Sequence, residues 1–407
     1  MLKNIKESYQ YSYFLYLRLI VAGIIIGFIV GIIDTIFGRG LLLIGNIRKE
    51  YLYYFVPFLA LDGLLIVFIY KKFAGRAKKG MGLIFEVGHG IENEIPLKLV
   101  PIVSIATWIT HLFGGSAGRE GVAVQLGATI SHKFKKYFGF PNKSKIFLVI
   151  GMAAGFGGLF QTPIAALFFA LEVLTLGNLQ LYALLPAIVS SFVASWTSAF
   201  LGLEKFNHSV NTNFVVTPLT FVKFAILGII FGIVGNLFVY LQNFLKKYLS
   251  EKIKNSYYRI FVIGILLSIV FLMLHEGRYT GLGTNLIENS FSGKQVYMYD
   301  WILKLILTTL TLSAGFQGGE VTPLFSIGAS LGAVIAIFFG LPIEFVAAAG
   351  YISVFGSATN TLLAPIFIGG EVFGFSNLPY FVIIVVFAYL VNRKISTYGL
   401  QKNYFEE

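Results

Sequence analysis

The chain has 407 residues, of which 57% are hydrophobic and only 12% charged. Soluble domains carry roughly 25% charged residues, so a soluble globular enzyme of this length is excluded, and so is a disordered chain. The formal net charge of +12 reads as basic loops beside a membrane rather than a nucleic-acid footprint, because no aromatic-basic recognition module accompanies it.

A mean hydropathy of +0.79 leaves room for on the order of a dozen spans of about 20 apolar residues. The apolar runs are continuous rather than alternating, which argues for helices and against an outer-membrane barrel. The first, near Leu19 to Phe37, has no small-residue cleavage site behind it and reads as a spanning helix, not a removed leader. The last is Tyr380 to Val391, and no appended soluble regulatory domain is expected. The chain contains no cysteine, so thiolate chemistry is absent.

Basic residues cluster at Lys71, Lys72, Arg76, Lys78 and Lys79, at Lys133, Lys135, Lys136, Lys143 and Lys145, and at Lys246, Lys247, Lys252, Lys254 and Arg259. Arg393, Lys394 and Lys402 form the last group. The positive-inside rule places all of these, with both termini, on the cytoplasmic side of the cell membrane. Glu92 and Glu94 are expected on the other side.

An ordered series of residues recurs about 201 positions further on. Gly80-Met81-Gly82 matches Gly281-Leu282-Gly283, and Thr107, Thr110, Gly114, Gly118, Gly127 and Ala128 match Thr308, Thr311, Gly315, Gly319, Gly328 and Ala329. Later, Gln161-Thr162 and Glu172 match Asn360-Thr361 and Glu371 at a slightly shorter spacing. The expected organisation is one transmembrane domain of two repeats, approximately residues 13–203 and 216–398. Duplicated halves with interrupted helices suit a secondary transporter, whose helix N-termini turn free amides toward one point and so toward an anion.

The strongest motif runs from Gly114 to Gly127, a glycine-rich turn opening into an apolar helix with Glu120 at its start. An intramembrane carboxylate is costly and is a functional hypothesis by default. Ionised, Glu120 can compete with an anion for backbone amides; protonated, it can swing away with its proton. The plainer reading is a capping Glu paired with Arg119. The related segment Gly315 to Phe325 has the same form, with Thr322 offering a hydroxyl, Val321 an amide and Pro323 a favoured first-turn residue. A third segment, Lys79 to Ile84, follows a basic loop; taken alone, Met81 reads as core filling.

Together these segments resemble the signature motifs of the CLC family of chloride channels and anion/proton exchangers. Gly80-Met81-Gly82-Leu83-Ile84 is similar to Gly-Ser-Gly-Ile-Pro, Gly118-Arg119-Glu120-Gly121-Val122 to Gly-Arg-Glu-Gly-Pro, and Gly319-Glu320-Val321-Thr322-Pro323 to Gly-x-Phe-x-Pro. Gly151 to Ala166 resembles a further family segment, and Tyr398 falls where the family places an anion-contacting tyrosine. Methionine in the serine position resembles the bacterial fluoride-exporting branch, CLC-F. Val173 stands where chloride/proton exchangers often carry an internal glutamate, so the proton cannot use that side chain.

The resemblance implies an all-α polytopic fold of two inverted-topology repeats with short, tilted and broken helices. It implies a homodimer and fluoride/proton antiport that drives fluoride out with inward protons, chloride being the second anion to consider. Glu120 is the implied gate and proton carrier. Met81, Gly118, Arg119, Gly121, Glu320, Val321, Thr322 and Tyr398 are the implied anion path. A chloride/proton exchanger or chloride channel of the same family is the nearer alternative, and Ser at position 81 would have favoured it. A polytopic membrane enzyme is the farther one; the catalytic loop cluster it needs is not visible, and the only aspartates are Asp34, Asp62 and Asp300. No cofactor or metal is expected, since no His-Glu cluster of metal spacing and no Walker loop occurs.

Of the remaining polar residues, Asp62 is expected to pair inside the bundle and His111 to be a satisfied buried histidine, a second proton route or relay being the sharper alternatives. Glu344 is expected to start a helix. Glu172 and Glu371 are expected to cap or pair.

Overall fold

Inside a bilayer each backbone N–H and C=O must be satisfied within the protein, which favours helices. The computed structural model describes residues 2–403 apart from 141, 213, 392 and 393, with the backbone alone for residues 2–12. Arg393, expected in the last basic group, lies outside the described residues. The first half comprises α1 (Leu2–Glu50), α2 (Leu52–Phe55), α3 (Leu59–Ile69), α4 (Met81–Gly88), α5 (Leu99–Leu112), α6 (Glu120–His132), α7 (Lys143–Phe160), α8 (Pro163–Glu172) and α9 (Leu184–Phe200). The second comprises α10 (Pro218–Lys252), α11 (Ser256–Met273), α12 (Thr284–Phe291), α13 (Asp300–Ala314), α14 (Val321–Phe339), α15 (Ile343–Thr359), α16 (Leu363–Phe373) and α17 (Leu378–Val391). A two-residue parallel ladder, β1 (Thr175–Leu176) with β2 (Lys402–Asn403), ties the C-terminal segment to the end of α8.

Among the described residues, seven helical stretches are long and apolar enough to cross a membrane, and five further apolar helices are shorter. Helix α6, outside both groups, matters most. All thirteen residues of α6 are buried, and at about 20 Å it cannot cross a hydrocarbon core of roughly 30 Å. It starts and ends inside protein.

Close helix crossings rest on glycine, as expected where apolar lipid gives no hydrophobic drive and packing must do the work. A Cβ on Gly127 would lie 2.1 Å from Gly151 O, and one on Gly328 would lie 2.0 Å from Gly350 O. Gly27 and Gly31 of α1 sit against the carbonyls of Ser190 and Ala194 on α9; Gly228 and Gly232 of α10 sit against those of Ile384 and Ala388 on α17. Gly228, Gly232 and Gly328 follow Gly27, Gly31 and Gly127 at the 201-residue spacing of the sequence repeat.

Glu172 and Glu371 cap across the halves. Glu172 accepts from the amides of Leu362, Leu363 and Ala364 at 3.0, 3.1 and 2.9 Å, at the start of α16. Glu371 accepts from Ile164 and Ala165 at 3.2 and 2.8 Å, at the start of α8. Carboxylates on helix N-termini are favourable partners for orphan amides. Glu344 stands in the first turn of α15, as read from the sequence.

The four basic groups share one face through their described members. Lys78, Lys79 and Lys246 line one cavity; Lys71 and Arg259 line a neighbour that shares Lys78 with it. Lys394 and Lys402 line a third, adjoining at Tyr398, and Lys145 a fourth that shares Lys402. Glu92 and Glu94, expected opposite, lie on this same face. Glu92 is 3.5 Å from Arg76 and 3.3 Å from Lys79, and Glu94 is 3.2 Å from Lys133 and 3.3 Å from Lys135. Helix α4 is too short to carry the chain across, so the loop after it stays beside the basic segments.

Candidate functional site

Two glycine turns meet at the centre. Gly118 donates to Gly319 O at 2.5 Å and Gly319 donates to Gly118 O at 2.8 Å, a reciprocal pair of repeat-related residues. The approach needs glycine: a Cβ on Gly118 would lie 2.8 Å from Pro323 Cδ and 3.0 Å from Gly319 O. The pairing sets the starts of α6 and α14 side by side, so both helix N-termini point into one place.

Glu120 occupies that place. It is 1% exposed, and its Oε2 accepts from Thr322 Oγ1 at 2.5 Å, Thr322 N at 3.1 Å and Arg119 N at 3.4 Å. Arg119 Nε lies 3.5 Å from Oε1. The carboxylate therefore serves the first turn of α14, across the halves, and also keeps the pairing with Arg119 at the start of its own helix that the plainer reading expected. Glu120 takes the amide of Thr322, one of the amides expected from Glu320 to Thr322, and Val321 beside it is 1% exposed.

A cavity of about 470 Å³ lies between the turn at Gly318 and Glu320 and the basic face. Met81, Glu320 and Tyr398 line it, with Gly80, Gln125, Gln242, Lys79 and Lys246. Met81 begins α4 behind Gly80, whose φ of 53° suits a residue without Cβ. Tyr398 stacks on Phe85 at 5.5 Å between centroids and meets Phe169 edge-on at 6.2 Å. Its Oη is buried with no partner among the described residues. The structure thus gathers Glu120, Thr322, Gly118, Arg119, Gly121 and Val321 where the two helix starts meet, with Met81, Glu320 and Tyr398 lining the adjacent cavity.

Two participants were missed in the sequence. Gln242 of α10 donates to Glu320 Oε1 at 3.4 Å and accepts from Thr397 Oγ1 at 3.0 Å, linking the inner lining. Gln125 of α6 is buried, and its Oε1 has no partner among the described residues. Each is a polar residue within an apolar helix, the signal that could have found it. His111 is buried with Nδ1 2.8 Å from Thr107 O and Nε2 2.9 Å from Ala117 O, as the plainer reading expected. Asp62 is not paired: both its carboxylate oxygens are buried without a partner among the described residues.

A helical membrane bundle with a buried carboxylate seated between facing helix N-termini suits a multi-pass ion-transport protein. The comparison with known families agrees. The model of the family described as voltage gated chloride channel matches residues 62–393, and the chain belongs to this family, CLC, whose members are channels and exchangers rather than enzymes. A "Chloride/fluoride channel protein" of Pseudomonas syringae pv. tomato is 33% identical over 84% of this chain and 77% of its own length. An "H(+)/Cl(-) exchange transporter ClcA" of Citrobacter koseri is 25% identical over 78% and 71%. Among solved structures, the crystal structure of a CLC-type fluoride/proton antiporter superposes with a TM-score of 0.94 at 50% identity, covering 96% of this chain and 99% of that one. A slow cyanobacterial Cl−/H+ antiporter superposes with a TM-score of 0.79 at 20% identity over 92% and 94%, a likeness of fold.

Proposed function

We propose that this chain is a fluoride/proton antiporter of the cell membrane, exporting cytoplasmic fluoride against inward protons. The observation that carries the reading is the seat of Glu120: a buried carboxylate bound by the hydroxyl and amide of Thr322. These donors serve any strong acceptor, so an anion reaching them must displace the carboxylate. A protonated carboxyl accepts more weakly and yields the donors, taking its proton with it. Competition for one pair of donors thereby ties anion entry to proton movement, and Thr322 and Tyr398 line the inner route.

Fluoride is small and strongly hydrated, and only close fixed donors offset its dehydration. Met81 adds no such donor; in this reading it withholds a hydroxyl that chloride would use. The family motif and the 50% identical antiporter structure support fluoride. The site is proposed to work in a homodimer of two-repeat subunits with inverted halves, both termini and the basic face being cytoplasmic. The second reading, chloride/proton exchange, has its support in the ClcA relative.

Efflux from proteoliposomes, followed with fluoride, chloride and pH electrodes, tests the proposal. Fluoride efflux with proton uptake and little chloride flux is expected. Chloride flux equal to or above that of fluoride overturns it. Met81→Ser is expected to raise chloride flux relative to fluoride; an unchanged ratio removes Met81 as the discriminator.

A further inference from the structure

A group of cations stands at the end of α13 remote from the Met81 cavity, and the exchange cycle does not use it. Lys304 is fully buried and donates to Gly281 O at 2.7 Å, Ser116 Oγ at 2.8 Å and Tyr279 O at 3.2 Å. Ser116 Oγ is also 2.8 Å from Thr308 Oγ1, one turn along α13. Arg48, near the end of α1 and 5% exposed, donates from Nη1 to His111 O at 2.7 Å, and its Nε has no partner among the described residues.

Neither cation has a carboxylate within ion-pair distance among the described residues. The acid on α13, Asp300, is taken up by Arg278 Nη2 at 2.6 Å, Tyr279 Oη at 2.7 Å and Tyr297 N at 2.9 Å. Arg48 opens onto a cleft of about 160 Å³, lined also by Lys49, Arg278, Thr280, Asn285 and the acidic Glu276. A buried charge without a counter-charge is costly in a membrane protein. These cations also stand against the bias that gathers lysines at the other face.

The cluster backs directly onto the gate. Arg48 holds His111 O, His111 Nε2 lies 2.9 Å from Ala117 O, and Ala117 N donates to Gly281 O at 3.3 Å. The turn thus gripped leads into Arg119 and Glu120.

We propose that the Arg48 cleft, with Lys304 beneath it, is an outer binding site for a small monovalent anion. It holds the anion between the Glu120 gate and the solution on the face opposite the Met81 cavity. Its missing counter-charge is the anion itself, and its positive field raises the local anion concentration at that mouth. The inference rests on the anion-exchange reading, whichever halide is carried.

The chain has no cysteine, so Arg48→Cys introduces a single thiol. The half-saturating concentration of the transported anion, fluoride or chloride, is measured in proteoliposomes from the Arg48 side. Arg48→Cys is expected to raise it roughly three- to tenfold, as loss of one nearby charge in a partly screened cleft predicts. A cationic membrane-impermeant thiol reagent is expected to restore it, and an anionic one to raise it further. Glu276→Gln, on the exposed rim, is expected to lower it and serves where Arg48→Cys does not fold. Equal half-saturation in wild type, Arg48→Cys before and after either reagent, and Glu276→Gln overturns the site. Absence of anion flux in the wild type instead overturns the exchange reading.

Discussion

In the proposed exchange, one residue pair, Glu120 and Thr322, holds two jobs. The carboxylate has three donors around it, two from a single threonine. Glu120→Gln keeps the shape but cannot exchange a proton; proton movement coupled to the anion gradient is expected to fall to background in a pH-electrode recording, with folding unchanged. Thr322→Val removes the hydroxyl and leaves the amide. A hydrogen bond to a charged group contributes about 1.5–3 kcal/mol, so anion affinity measured by calorimetry is expected to fall by at least roughly tenfold. The sequence marked both residues, Glu120 as a carboxylate out of place and Thr322 as a hydroxyl beside a glycine turn. It did not show that they touch, because a contact between residues 120 and 322 depends on how two halves meet.

Among elements, the short buried helices depend on backbone approaching backbone. A Cβ on Gly127 meets Gly151 O at 2.1 Å, a contact with no flexible side chain to yield. Gly127→Ala is therefore expected to destabilise by about 1–3 kcal/mol or more, as overpacking does, read as a lowered melting temperature in detergent. Gly139→Ala, with open space around it, is the control and is expected to be neutral. The two cross-capping glutamates belong to this scale too. Each satisfies the helix start that follows the other half's interruption, so α8 and α16 can begin inside the protein without stranded amides.

For the whole molecule, charge placement decides how the chain sits. Partial burial works to raise the Glu94 carboxyl, but hydrogen bonds and charge from Lys133 and Lys135 outweigh it and hold it below its ordinary value. A depressed carboxyl contributes attachment that is complete above its ordinary range and lost as pH falls through the depressed value. Protection of residues 89–98 against hydrogen exchange, taken relative to the intrinsic rate at each pH, is expected to fall on acidification in the wild type, with no such acid-side step in Glu94→Gln. An unchanged step in the variant would assign it elsewhere. The placement of Glu92 and Glu94 departs from the sequence reading for a geometric reason: α4 turns back before crossing, and a count of apolar residues does not register a helix that enters and returns.

The sequence by itself determined the class of the molecule. Its apolar excess demands a bilayer, its continuous runs demand helices, and its glycine motifs with Glu120, Met81 and Tyr398 identify the family. These are local properties, carried by composition and by spacing within a few turns. Only the tertiary structure decided that Glu120 leans on Thr322, that Glu172 and Glu371 exchange caps, and that, among the described residues, Asp62 has no partner and Arg48 and Lys304 gather without a counter-charge. Each joins residues far apart in the chain, and which polar groups find each other there follows from the packing of whole helices, because the penalty for leaving them unmet is set by burial, which no stretch of sequence specifies alone.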